Sequence, residues 1–295
     1  MEDFRLKVFQ SVARHLSFTR ASKELFISQP AISKHIRELE TAYNVSLFER
    51  QGNAIRLTRA GCLLLSHADR ILTSYSQLDF EMNLLTEHFD GELRIGASTT
   101  ISQYVLPSRL ATFIRKFPQI RITLTSGNSR EIEQAVTEHR VDVGLTEGCS
   151  RQPGLRYQPF MEDELVVVAP VAGGPDLPEE ITLEELRNLP VVIRENGSGS
   201  LEVLERRLAE HDVRLSNLNV VLQLGSTESI QLFMESAGCL GILSVQAIRK
   251  ELALGRLRIV DVRDFECKRM FHFVRMQGEN GGLPEHFIRY VLNTY

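Results

Sequence analysis

The stretch SFTRASKELFISQPAISKHIRELE, Ser17 to Glu40, holds two amphipathic segments separated by a few residues. Ser17 or Thr19 can cap a short helix that runs through Leu25 and buries Ala21 and Leu25. Ser28 then reads as the N-cap of a longer helix, because its hydroxyl can accept from an orphan amide, and Pro30 falls in the first turn, where a missing N–H costs nothing. In that helix Ala31, Ile32, Ile36 and Leu39 face inward, whereas Gln29, Pro30, Ser33, Lys34 and Arg37 share the opposite face. The outer face is polar, compact and net positive. Helix, tight turn, then a helix exposing amide, hydroxyl and cationic donors is the helix-turn-helix plan, in which the second helix enters the major groove. Taken alone, the pair fits a plain helical hairpin with a solvated outer face equally well.

The flanks shift that balance. Upstream, Phe4, Val8 and Val12, with Phe9 and Ala13 beside them, predict a helix from about Glu2 to His15. Downstream, LFERQGNAIRLTRAG, Leu47 to Gly61, has two short β-like runs around Gln51, Gly52 and Asn53, a hairpin turn that implies a wing. Arg50, Arg56 and Arg59 would flank it, suited to phosphate or minor-groove contact. Thr58 can cap the following helix. There Leu64, Ala68, Ile71, Tyr75, Leu78, Met82, Leu85 and Phe89 recur with alternating steps of four and three, a heptad seam that favours pairing with a second helix. An ordinary amphipathic helix packed within its own chain is the competing reading.

Charge points the same way. The chain has 295 residues, enough for more than one domain, and a formal net charge of −4. Residues 1 to 60 carry ten Lys and Arg against six Asp and Glu, so the basic character sits at the N-terminus and the rest is acidic. A small basic module on an acidic body is expected to meet a polyanion through the module alone. Cys62, Cys149, Cys239 and Cys267 are scattered and make neither a CxxC pair nor a Cys/His cluster, so neither a disulfide framework nor a metal site is signalled. No basic-then-apolar leader precedes the first helix, and no apolar run approaches the ~18 residues of a membrane span. A soluble cytoplasmic protein without membrane contact is expected.

In combination, the helix-turn-helix stretch, the wing LFERQGNAIRLTRAG and the helix that follows resemble the LysR-type transcriptional regulators. The resemblance implies a transcription factor that binds double-stranded DNA as a homodimer or homotetramer, works with RNA polymerase and needs no cofactor. It implies a winged helix-turn-helix domain over 1–58, a linker (dimerisation) helix over 59–90 and an effector-binding domain over 91–295. The DNA-contacting set is Thr19, Ser28, Gln29, Pro30, Ser33, Lys34, Arg37, Arg50 and Arg56.

The remainder also reads without the family. Short apolar runs, LRIGA, IRITL, VDVGL, LVVVA, PVVI, NVVLQL, GILSV, LRIVDV and FHFVRM, alternate with helix patterns such as SREIEQAVTEHR, SLEVLERRLAEHD and TESIQLFMESA. Alternation of this kind predicts an α/β fold with largely parallel sheets. Length and the resemblance imply two lobes like those of periplasmic binding proteins, lobe one over 91–161 and 268–295 and lobe two over 162–267, with a cleft between them.

Two strand-to-helix loops suit an anion. ASTT, Ala97 to Thr100, and ENGSGS, Glu195 to Ser200, each offer hydroxyls and free amides at a helix start, and STES at Ser226 to Ser229 adds a third. Ser98, Thr99, Thr100, Ser198, Ser200 and Thr227 are the candidate ligand residues. Taken singly, such residues more often cap helices. The resemblance adds Asn128 and Thr146. Within the family, VGLTEG, RENGSGS and STES resemble the branch that regulates cysteine biosynthesis and carbon fixation, although a Thr often stands where this chain has Ser200. The expected effector is a small anion held by neutral donors and helix ends, with no arginine clamp required.

Other classes are weaker. There is no GxxxxGK, no GxGxxG after a strand, no HExxH and no GxSxG, so catalysis is not expected. A thiol redox sensor built on Cys149 or Cys239 is the alternative, but the paired, closely spaced cysteines that the family's peroxide sensors imply are missing. A transport-type binding protein would need a secretion signal and has no use for a wing.

Overall fold

The computed structural model describes residues 3–51, 54–85, 91–279 and 281–293. The hairpin tip at Gly52 and Asn53, the side chains of Arg50 and Leu85, and Phe89 lie outside that description. The chain forms two compact units, residues 1–88 and 89–295.

In the first unit α1 (Phe4–His15), α2 (Phe18–Glu24) and α3 (Gln29–Tyr43) bury Val8, Phe9, Val12, Ala21, Ile32, Ile36 and Leu39 in one core. The caps set the boundaries. The Ser17 hydroxyl accepts from the Arg20 amide at 3.2 Å and the Ser28 hydroxyl from Ala31 at 3.4 Å, each relieving an orphan N–H of its helix. Asn44 ends α3 in the left-handed region, φ 53°. β1 (Phe48–Gln51) and β2 (Ala54–Leu57) pair antiparallel with Phe48 opposite Leu57, forming the wing. Thr58 then accepts from Gly61 N at 3.0 Å and starts α4 (Arg59–Leu85). A Cβ at Gly61 would lie 2.1 Å from the Leu47 carbonyl oxygen, so only glycine lets α4 leave the wing this closely.

The expected heptad seam is not continuous. Leu64 and Ala68 join Leu72 in the core against α1, and Ala68 is fully buried. The first turns of α4 therefore belong to the winged-helix core, because α1 already offers an apolar face there. Further along, Ile71, Leu78 and Met82 are 41%, 52% and 56% exposed and form an apolar stripe that packs on no core among the described residues.

The second unit is one ten-stranded sheet carrying helices. β3 (Gly91–Ser98) leads through a π-helical turn, Ile101–Val105, into α5 (Leu106–Lys116). Then follow β4 (Ile120–Gly127), α6 (Ser129–Thr137), β5 (Val143–Thr146) and the sixteen-residue β6 (Leu155–Pro170). Next come β7 (Glu180–Ile181), α7 (Leu183–Asn188), β8 (Val191–Arg194), α8 (Gly199–Ala209), β9 (Val220–Leu224), α9 (Thr227–Ala237), β10 (Leu240–Ser244), α10 (Val245–Ala253), β11 (Leu257–Val262), β12 (Cys267–Met276) and α11 (Gly282–Asn293).

The strand order is β4-β3-β5-β12-β6-β10-β8-β9, with β11 on β6 and β7 on β11. Within each lobe the βα units pair parallel, β3 with β4 and β5, β8 with β9 and β10. The spine β6–β12 is antiparallel to each other and to its neighbours β5, β10 and β11, so the sheet is mixed where the alternation alone predicts mostly parallel pairing. β6 pairs with β12 over Leu155–Leu165 and with β10 and β11 over Leu165–Pro170. These two strands thus run through both lobes and place β3, β5 and β8 with their C-terminal ends at the same crevice, the position where open α/β sheets bind ligands.

Candidate functional site

Two surfaces carry the candidate residues. On the first unit, Gln29, Pro30, Lys34 and Arg37 of α3 are exposed, as is Thr19 of α2, while Ser33 is half-buried on the same face. Lys34 leans toward Glu38, 3.9 Å away, one turn on, a pair too exposed to hold the lysine in place. Ser28 is engaged as the cap described above. Arg56 on β2 is exposed, and the Arg50 side chain is outside the described residues. A helix N-terminus with free donors beside a basic wing is the arrangement that places side chains in a major groove and cations on the flanking phosphates.

The second surface is the crevice. Its centre is a residue the sequence reading passed over. Glu147, directly after β5, is 1% exposed, and its carboxylate is where the predicted hydroxyls converge. Ser98 donates to it at 2.7 Å and Thr100 at 3.3 Å from lobe one, and Ser200 donates at 3.1 Å from the first turn of α8 in lobe two. Arg269 of β12 lies 3.4 Å from the same carboxylate, donates to the Ser200 hydroxyl at 2.9 Å, and pairs with Asp163 of β6 at 2.7 Å. Ser244 donates to Asp163 at 2.8 Å. Burial would raise the Glu147 carboxyl, but the Arg269 charge, the Ser98 hydroxyl, the Arg194 charge and the Ser200 hydroxyl outweigh it and hold the group below the usual glutamate range.

Close approach makes this cage possible. A Cβ on Gly199 would lie 2.6 Å from Glu147 Cγ, 2.6 Å from Gly148 N and 2.7 Å from Ser129 Oγ. The start of α8 can therefore touch the lobe-one loop only because it carries no side chain. The lobes also meet through Arg130 N, which donates to the Gly197 carbonyl at 3.2 Å, and through the Ser150 amide and hydroxyl, which donate to Glu202.

The remaining candidates divide. Asn128 accepts from Glu131 N at 3.0 Å in a capping box, and Ser198 accepts from Leu201 N at 3.2 Å while donating to the Glu195 carbonyl at 2.8 Å. Both are helix caps first. Thr227 is buried in the first turn of α9, next to the capping Ser226. The hydroxyls of Thr99 and Thr146, Nη2 of Arg269 and Nη1 of Arg194 are buried and find no hydrogen-bond partner among the described residues. Unused buried donors of this kind mark a place for an acceptor. The site therefore does contain buried guanidinium groups, where the sequence implied neutral donors alone. Arg269 lies in no motif read from the chain and Arg194, although it opens RENGSGS, was given no role there, because their strands meet Glu147 only in the folded sheet.

Of the two thiols on which the redox alternative rests, Cys149 is half-buried and Cys239 is buried. Cys239 and Cys267 are buried, and burial pushes both thiols up, Cys267 to about 12, which leaves little reactive thiolate. Among the described residues no group of three or more His, Cys, Asp or Glu could hold a metal ion, and no helix is long and apolar enough to cross a membrane.

Residues 4–62 match the family described as bacterial regulatory helix-turn-helix protein, lysR family, and residues 86–295 match the LysR substrate binding domain. The chain is 31% identical to the HTH-type transcriptional regulator CysL of Bacillus subtilis (strain 168) over 98% of this chain and 96% of that one. The CcmR regulatory domain of Synechocystis PCC6803, solved in complex with 2-PG, is 27% identical, with a TM-score of 0.62 over 70% of this chain and 97% of that one. Full-length CbnR, solved with its target DNA, has a TM-score of 0.63 at 19% identity and covers both chains completely. With a helix-turn-helix in one unit, a two-lobed α/β fold in the other and both halves matching, this chain belongs to the LysR family of DNA-binding transcriptional regulators.

Proposed function

We propose that this regulator controls transcription in response to a small anionic metabolite held between its lobes. The observation that carries the reading is the cage of Ser98, Thr100, Ser200 and Arg269, drawn from both lobes and from the strand that joins them, around a carboxylate. The Glu147 oxygens stand in for those of a ligand carboxylate, sulfate or phosphate. Thr99, Thr146 and Arg194 hold further donors in reserve. Asn128, Ser198 and Thr227 contribute through the helix starts they shape, where backbone amides and the helix dipole favour an anion.

On DNA, Gln29, Ser33, Lys34 and Arg37 read or approach base edges, Thr19, Ser28 and Pro30 position the helix start, and Arg50 and Arg56 hold phosphates. The exposed stripe Ile71, Leu78 and Met82 is the natural seat of a second copy, which paired half-sites require. Such a regulator works in the cytoplasm with RNA polymerase and catalyses nothing. The anion can act only to the extent that it binds one lobe arrangement better than another.

The test is a thermal-shift screen of sulfate, phosphate, O-acetylserine and small phosphorylated or carboxylated metabolites, 2-PG among them. Hits are then assayed for their effect on binding to promoters recovered by genomic footprinting. A hit that stabilises the wild type should lose most of its shift in Thr100→Val. Equal affinity in both proteins would place the effector elsewhere and return the Ser and Thr residues to helix caps.

A further inference from the structure

The crevice is not empty of anions, since Glu147 fills it. We propose that Glu147 is the internal occupant of the oxyanion site, and that a small oxyanion effector takes hold of the cage only when Glu147 is neutralised by one proton. The inference rests on the reading of the crevice as the effector site and adds its regulation.

Around the cage stand two guanidinium groups, Arg269 and Arg194, and three carboxylates, Glu147, Asp163 and Glu195, the last paired with Arg194 at 2.8 Å. The set is already one negative charge in excess, so an arriving monoanion would double it within a buried region. Like charges that share a site cannot both stay ionised cheaply, and the usual outcome is that one carboxyl takes a proton. A protonated Glu147 restores the original balance. It also changes from a pure acceptor into a group with one donor, able to face the ligand oxygen that its own oxygen would otherwise repel. Solvation offers no easier route, because the Glu147 carboxylate is sealed by α8 and Gly199 on one side and by Ser98 and Thr100 on the other.

Other titratable groups surround the cage. Asp163 is locked between Arg269 and Ser244, and Glu202 of α8 is held by Ser150. On α6, Arg130 and Glu131 sit in the first turn, and Glu133 accepts from Tyr157 and Gln152, with burial raising its carboxyl. Cys149 follows on the same loop as Glu147. His272 contacts Arg151 at 2.9 Å, and burial and the Arg151 charge keep it toward the neutral form. Substituting Glu147 alone separates its contribution from all of these.

Formate and nitrate serve as probes because both are monoanions that stay fully ionised between pH 6 and 8. Calorimetric titration of the full chain should show each ion binding the wild type with uptake of about one proton, measured in buffers of different ionisation enthalpy. Affinity should fall about tenfold per pH unit. Glu147→Gln keeps the shape and removes the charge, so it should bind at least tenfold more tightly than wild type at pH 8, with affinity flat from pH 6 to 8. Should the glutamine variant melt far below wild type, Glu147→Ala is read in its place, with formate expected to fill the vacated carboxylate position and raise its melting temperature. Ion binding that is pH-independent and unchanged by either substitution overturns the role of Glu147 and leaves the crevice reading intact. Binding to neither wild type nor variants overturns both.

Discussion

Arg269→Met removes the one cation that joins Asp163 to Glu147. The guanidinium is 1% exposed, Asp163 is 0% and Glu147 1%, with separations of 2.7 and 3.4 Å. At an effective dielectric constant of ~20 those separations correspond to attractions of about 5–6 kcal/mol per pair. The desolvation of all three groups offsets part of this, and removing one partner of a buried pair typically costs about 3–5 kcal/mol, because the other is left charged and unpaired. Here Asp163 keeps the Ser244 hydroxyl and Glu147 keeps those of Ser98, Thr100 and Ser200, so we expect a loss near the lower end, about 3 kcal/mol at pH 7.5.

The pH dependence has a defined sign. In the wild type the Glu147 carboxyl lies below its unfolded value, so it contributes stability that is present above the ordinary glutamate range and is lost as pH falls through the folded value. Without Arg269, burial acts on the carboxyl opposed only by the Ser98 and Ser200 hydroxyls and the Arg194 charge, its folded value rises, and the deficit of the variant should shrink between pH 7.5 and 5. Adding Glu147→Gln to Arg269→Met should recover at least ~1 kcal/mol relative to additivity, because the stranded charge is gone. Urea unfolding followed by far-UV circular dichroism measures all four proteins, since the chain has no tryptophan to report. A loss below ~1 kcal/mol, or strict additivity of the two substitutions, would refute the buried-triad reasoning.

The winged unit separates two kinds of DNA contact: Gln29→Ala should relax sequence preference by ~1–3 kcal/mol if the amide reads a base, whereas Arg56→Ala should weaken binding to all sequences and flatten its salt dependence, as fluorescence anisotropy on specific and scrambled duplexes will show. Leu78→Asp places a charge in the middle of the exposed α4 stripe and should dissociate the oligomer and lower operator affinity; sedimentation that finds an unchanged assembly at low concentration removes the stripe from the interface. Gly199→Ala should cost ~1–3 kcal/mol in thermal unfolding of the effector unit, because the new methyl meets the Gly148 backbone at 2.6 Å and cannot be relieved by a side-chain rotation alone; a neutral result would mean that the lobes part there freely.

Local chemistry determined the first unit. Ser17, Ser28 and Thr58 cap where a hydroxyl before a periodic run should, and Pro30 opens α3. Each is decided within one helical turn, so the chain states it directly. Short apolar runs announce most strands of the second unit in the same way, but not β7 or the polar first ten residues of β6, which are extended because they pair with β12. Periodicity was a poorer guide on α4, where Leu64, Ala68, Ile71 and Leu78 look alike in sequence. Whether an apolar residue faces its own core or a partner depends on what stands opposite, and α1 stands opposite only the first turns.

The crevice around Glu147 shows the limit most plainly. Serines and threonines after strands mark loops that can hold an anion, and that much needs no tertiary structure. Their division into caps such as Asn128 and Ser198 and cage donors such as Ser98, Thr100 and Ser200 depends on where each hydroxyl points once the sheet has formed. Glu147 and Arg269 are 122 residues apart in the chain. β12 pairs antiparallel with both β5 and β6, and that pairing sets Arg269 opposite Asp163 and beside the end of β5, where Glu147 follows. The sequence carries the propensity for each element and each cap, because those are settled by neighbours within a few residues; the occupant of the crevice is settled by non-local strand pairing, which only the folded chain contains.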